Sequence, residues 1–166
     1  MRQSILFFDI DGTLLSDKTG KIPDSALEAL AEAKKNGHLL FINTGRTVCA
    51  LPKELYQFEF DGYLCGCGSY LLFHEEVLLE SHIEEACGQK YIEQMRECGL
   101  DGVLEGTEDL YFPKKVSRFE KLEQGRHYFG QLGLGKKKHI EEGGFLYDKI
   151  FVYADEQSEK ERFFSS

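Results

Sequence analysis

SILFFDIDGT, residues 4–13, begins as an uninterrupted apolar, β-prone run and turns acidic at Asp9. An apolar run of this length, closed by a turn signal, reads as a buried strand of a parallel sheet. Alternate residues on a strand share a face, so the carboxylates of Asp9 and Asp11 converge where the strand over 4–8 ends. Ligand sites in open α/β sheets lie beyond the carboxyl ends of the strands, which is the edge this pair occupies. Two packed carboxylates repel unless a cation or a shared proton relieves them. Mg²⁺, a hard cation that takes oxygen ligands, would do so. Gly12 lets the chain turn away with its backbone close to a ligand, and Thr13 with the nearby amides offers donors to phosphoryl oxygens.

Downstream, residues 14–23 read as a polar loop containing Gly20 and Pro23. A helix follows: Ser25 and Glu28 form a capping-box pattern, with Asp24 as an alternative cap. Ala26, Leu27, Ala29, Leu30 and Ala33 give an apolar face, Lys34 and Lys35 suit the C-terminal end, and Gly37 closes it. HLLFIN, residues 38–43, is a second buried-strand pattern that ends at Thr44-Gly45-Arg46. Strand, helix and strand make a βαβ unit whose strands run parallel and end on one sheet edge. Thr44 then falls beside the acidic pair, its hydroxyl available to a phosphoryl oxygen, and Gly45 permits close backbone approach. Arg46 either touches the substrate or a cap, or pairs with a nearby acid. A lone DxD is most often a solvated loop or a helix cap. DxDGT directly after a buried strand, with TGR after the next, is far narrower and reads as a phosphate site.

A shorter helix is expected over 51–58, a third strand over 62–66, and a hairpin of 69–73 and 77–81 joined through 74–76. After residue 82 the rhythm changes. Residues 83–98 carry helical spacing, followed by short strands over 102–105 and 109–112, a helix over 117–132, a strand over 146–153 and a helix from 156. This reads as a first part of a core over 1–82 and an α+β module over 83–166, inserted after the hairpin.

The chain's 166 residues carry a formal charge of −9, which argues against a nucleic-acid binder needing a basic face. No apolar run approaches the ~18 residues of a membrane span, and Ile5–Phe8 is too short for a signal-peptide core. Five cysteines, odd in number and without CxxC, read as reduced thiols of a cytoplasmic protein. Cys65 and Cys67 would make only half a metal site. The histidines at 38, 74, 82, 127 and 139 share no ligand spacing, and the basic run Lys136–His139 reads as a solvated loop.

FFDIDGT at 7–13 and FINTGR at 41–46 resemble the first and second motifs of the haloacid-dehalogenase-like (HAD) hydrolases, most nearly the Cof-type phosphatases. Their cap domain is inserted after the third core strand. The resemblance implies an α/β fold: a HAD-type Rossmann-like parallel core, here its N-terminal half only, with an inserted α+β cap module. It implies Mg²⁺-dependent hydrolysis of a small phosphorylated substrate. Asp9 would be the nucleophile that forms an aspartyl-phosphate. Asp11 would be general acid toward the leaving alcohol and then general base for water. Mg²⁺ would be held by the Asp9 carboxylate and the Asp11 backbone carbonyl. Gly12, Thr13, Thr44, Gly45 and Arg46 would contact the substrate, with Thr44 anchoring the phosphoryl group.

The sequence departs from the family pattern in three places. Cys67-Gly68 stands where those relatives usually have Asn-Gly, no lysine of a later core strand is found, and no GD dipeptide exists to begin the acidic Gly-Asp-x-x-x-Asp motif. Lys149 falls in an expected cap strand and is not that lysine. Three core strands, against about five or six in such sheets, lead us to expect the N-terminal part of a longer enzyme, with roughly 60–90 core residues absent. A half sheet also predicts self-association through the incomplete core. Two other functions compete. One is a catalytically incomplete remnant that binds or regulates. The other is a receiver-type signalling domain, which requires a phosphorylatable Asp ending the third strand; GYLCGCG has none.

Overall fold

The computed structural model describes residues 2–165. The chain forms two compact units, divided between Ser81 and His82.

The first unit is a five-stranded sheet in the order β1 (Ile5–Phe8), β2 (Leu39–Asn43), β3 (Gly62–Cys65), β4 (Tyr70–Phe73) and β5 (Glu76–Glu80). β1, β2 and β3 run parallel, and β4 and β5 add antiparallel. Helix α1 (Asp24–Lys35) connects β1 to β2. Leu30 of α1 packs with Ile10, Leu40, Ile42 and Leu55 in the core. Each large side chain so buried stabilises the fold by about 1.5–3 kcal/mol. The expected burial of the first strand on both faces is corrected. Leu6 and Phe8 pack against this core, while Ile5 and Phe7 are 54% and 55% exposed. β1 is an edge strand, and α1 covers one face only. β2, paired on both sides, is the buried strand.

α1 ends as its sequence predicts. The Gly37 amide donates to Lys34 O (2.9 Å) and the His38 amide to Ala33 O (3.2 Å), with Gly37 at φ +83°. That is the left-handed glycine cap. The start differs: the Ser25–Glu28 capping box does not form. Pro23 stands at the cap, and its carbonyl accepts the Ala26 and Leu27 amides. Its fixed φ launches the helix two residues earlier than a Ser25 cap would and puts Asp24 in the first turn, where the helix dipole favours it. The helix expected over 51–58 is also absent. Two short 3₁₀ turns, Val48–Ala50 and Lys53–Gln57, flank Leu51 and Pro52, both extended, because proline pushes the residue before it out of the helical region. The hairpin turns through His74 and Glu75 alone, β5 beginning at Glu76.

Asp61, which the sequence reading passes over, is buried just before β3. Its Oδ2 accepts the Leu40 amide at 2.8 Å, and Lys34 Nζ lies 3.7 Å from Oδ1. Asp61→Ala strands that buried N–H and is expected to destabilise the chain by about 2–3 kcal/mol. The urea midpoint of the variant measures this.

The second unit is a three-stranded antiparallel sheet, β6 (Asp101–Glu105) flanked by β7 (Leu110–Tyr111) and β8 (Lys149–Tyr153). Helices α2 (Glu85–Glu97), α3 (Glu120–Gln131) and α4 (Lys160–Phe164) accompany it. Ile92 of α2 packs with Leu104, Tyr111, Ile140 and Tyr147. α3 and α4 begin later than expected, and β8 is shorter. Ser117 N–H turns to Glu123 Oε1 (2.8 Å). The Asp155 carboxylate accepts the Gln157 amide (2.9 Å) and the Ser158 hydroxyl (3.1 Å), forming a turn before α4. Before β8, Tyr147 O accepts the Ile83 amide and Asp148 is paired with His82. Lys149 bonds Glu105 across the strands at 2.8 Å. Gly88 of α2 lies so close to the Tyr147 hydroxyl that a Cβ there forces movement. Gly88→Ala should therefore lower stability by about 1–3 kcal/mol despite alanine's better helix propensity, as thermal melting would show.

Candidate active site

β1 and β2 pair in register from Ile5↔Leu39 to Phe8↔Ile42, so both end on one edge. The strand alternation continues one step past β1. Ile10 is fully buried, whereas Asp9 and Asp11 on either side are exposed. Gly12, at φ +74°, turns the chain, and a tight loop follows: the Thr13 amide donates to Ile10 O, Leu14 to Asp9 O and Leu15 to Ile10 O. Thr13 itself is exposed, but its amide is spent within the turn.

From the β2 end, Thr44 is buried at 5% exposure, and its Oγ1 accepts the Arg46 amide at 3.2 Å. Its main chain joins β3: the Thr44 amide donates to Leu64 O (2.9 Å), and the Gly66 amide donates to Arg46 O (2.7 Å). Gly45 faces Cys67, whose Sγ would lie 3.3 Å from any Cβ at position 45. The two loops are tied by Arg46. Its Nε and Nη2 donate to Asp11 Oδ2 and Oδ1 at 2.9 and 2.8 Å, and its Nη1 donates to Ala50 O at 3.2 Å. The pairing with a nearby acid, one of the alternatives that sequence left open for Arg46, is present. The Arg46 hydrogen bond holds the Asp11 carboxyl below the usual carboxylate range, opposed by partial desolvation and helped by the guanidinium charge.

Asp9, Asp11, Gly12 and Thr13 thus lie on the loop after β1, and Thr44, Gly45 and Arg46 on the loop after β2. Among the described residues, no group of three or more His, Cys, Asp and Glu is arranged to hold a metal. The ligand atoms that Asp9, Asp11, Thr13 and Thr44 offer are nonetheless oxygens, with Asp9 open to solvent. Mg²⁺ keeps waters and takes one or two carboxylates plus substrate phosphate oxygens, so the donor set suits it.

The thiols here differ in character. Cys65 is buried and its thiol is pushed up to about 12 by desolvation, whereas Cys67 is exposed with φ +60°. At pH 8, iodoacetamide should modify Cys67 in the folded chain and leave Cys65 intact until urea unfolds it. Peptide mass mapping reads the difference.

The model of the haloacid dehalogenase-like hydrolase family matches residues 6–165. The pyridoxal phosphate phosphatase YbhA of Escherichia coli (strain K12) is 36% identical over 107 residues, 63% of this chain and 39% of that protein. YkrA of Bacillus subtilis (strain 168) is 28% identical over 97 residues, 58% of this chain and 37% of its own length. The chain therefore spans under two fifths of these curated relatives. Among solved structures, the HAD subclass IIB sugar phosphatase BT4131 superposes with a TM-score of 0.75 at 26% identity, over 99% of this chain and 63% of that one. With the family model matching almost its whole length, this chain belongs to the haloacid dehalogenase-like hydrolases.

Proposed function

We propose that the protein is a Mg²⁺-dependent phosphatase that hydrolyses a small phosphorylated metabolite through an aspartyl-phosphate. The observation that carries this reading is the pair of exposed carboxylates, Asp9 and Asp11, at the end of β1, linked through Arg46 to the Thr44 loop at the end of β2. The related proteins named as phosphatases support the reaction class.

In this mechanism the Asp9 carboxylate attacks phosphorus as the bond to the leaving alcohol breaks, and Asp11 gives its proton to that oxygen. Water, deprotonated by Asp11, then attacks the phosphorus of the acyl phosphate and releases Asp9 and inorganic phosphate. The Thr44 hydroxyl donates to a phosphoryl oxygen throughout, with Gly12, Thr13 and Gly45 around it. The Asp9 carboxylate and the Asp11 backbone carbonyl would hold Mg²⁺, which would supply charge that neutralises the nucleophile and the phosphate. Hydrolysis of p-nitrophenyl phosphate with and without a chelator tests the reading, and turnover should require Mg²⁺. Thr44→Val should lower turnover by about 10²-fold, as loss of one oxyanion donor does.

A second reading is a catalytically incomplete chain that binds or regulates. It is favoured by the absence of any GD dipeptide from this sequence and, among the described residues, of a group of three or more His, Cys, Asp and Glu arranged to hold a metal. Binding of phosphate without turnover would select it. We also place the protein in the cytoplasm, a reading supported by five free cysteines. Ile5 and Phe7, half exposed on edge strand β1, support self-association. Light scattering should find species larger than 19.0 kDa, and a monodisperse monomer would contradict this.

A further inference from the structure

We propose that Arg46 is a positioning residue: its guanidinium fixes the plane of the Asp11 carboxylate while its main chain orients the Thr44 hydroxyl. The inference rests on the acid/base and phosphate-anchoring roles proposed above for those two residues.

All three guanidinium nitrogens have acceptors, two of them the separate oxygens of one carboxylate. A fork held this way cannot rotate without breaking parallel bonds, and neither can the carboxylate it grips. The constraint matters because the Asp11 side chain is 58% exposed and would otherwise sample several rotamers, whereas Arg46 is 26% exposed and anchored. The anchor is the Arg46 main chain. Its carbonyl accepts the Gly66 amide at the end of β3. Its amide occupies Thr44 Oγ1 as acceptor, so the Thr44 hydroxyl proton is left to donate elsewhere. One residue thereby aligns the acid/base carboxylate and the phosphate anchor. An arginine that binds phosphate should act on KM and phosphate affinity, whereas one that positions Asp11 should act on kcat, so the two roles predict different kinetics.

The test uses the 166-residue chain with p-nitrophenyl phosphate and Mg²⁺. Arg46→Ala should lower kcat by about 30-fold with KM within about threefold. Arg46→Lys, a point charge without the fork, should restore little of the loss. In an Asp11→Asn background, Arg46→Ala should cost no more than about twofold further, because both act through one group. By calorimetry, Arg46→Ala should bind inorganic phosphate with Mg²⁺ within about threefold of the parent chain. A tenfold weaker phosphate affinity, a KM effect in place of a kcat effect, or multiplying losses would overturn the proposal. If the parent chain shows no Mg²⁺-dependent turnover, the phosphatase reading fails by itself. The clamp is then decided by urea midpoints of the two single variants and the double variant: non-additive shifts support it, and additive shifts overturn it.

Discussion

Asp9→Asn is expected to reduce phosphate-ester turnover by ~10⁴-fold or more while leaving the fold intact, because it removes the only group proposed to bond phosphorus. The amide keeps the shape and loses the charge. The Asp9 side chain is exposed, and the Asp9 backbone carbonyl that accepts the Leu14 amide is untouched. Circular dichroism should therefore give a melting temperature close to that of the parent chain. A matching loss of activity and stability would point to misfolding and not to a lost nucleophile. The Asn variant is to be assayed promptly and its mass confirmed, since deamidation would restore Asp9.

Gly62→Ala carries the largest expected structural effect. β3 enters the sheet between β2 and β4, and a Cβ at Gly62 would stand 2.6 Å from the Leu72 carbonyl oxygen and closer still to the Phe41 ring. The carbonyl belongs to a paired strand and cannot yield. Phe41 is buried and stacks on Phe73 at a centroid distance of 5.7 Å, so its ring cannot swing away either. We expect a loss of about 3 kcal/mol, read as a lower urea midpoint with an unchanged slope. Because β3 and the turn after it also hold the Thr44 and Arg46 main chains through Leu64 and Gly66, phosphate binding should weaken before global unfolding is complete.

The motifs made the site legible. DIDGT and NTGR each follow an apolar run, and a βαβ connection forces their ends to one edge, so Asp9, Asp11, Thr44 and Gly45 could be grouped from spacing alone. What stayed hidden was set at a distance. The carboxylate partner of Arg46 lies 35 residues away, and no local pattern chooses between an acid and a ligand. The exposure of Ile5 and Phe7 depends on which strand is at the edge, which periodicity does not encode. Asp61 holds Leu40 across 21 residues and resembles any surface acid in the sequence. Local misreadings had local causes: proline at 23 displaced the capping box, and proline at 52 broke the helix expected over 51–58. The family pattern's later lysine and second acidic motif have no counterpart here, and this chain covers under two fifths of its curated relatives.

The central claim is that Asp9 accepts a phosphoryl group. Incubating the chain with Mg²⁺ and a small acyl phosphate, quenching, trapping with borohydride and mapping peptides by mass spectrometry addresses it without relying on later hydrolysis. The account predicts a reduced, formerly phosphorylated residue at position 9 in the parent chain, dependent on Mg²⁺ and absent from Asp9→Asn. Trapping at another residue, or none with Mg²⁺ present, would contradict it.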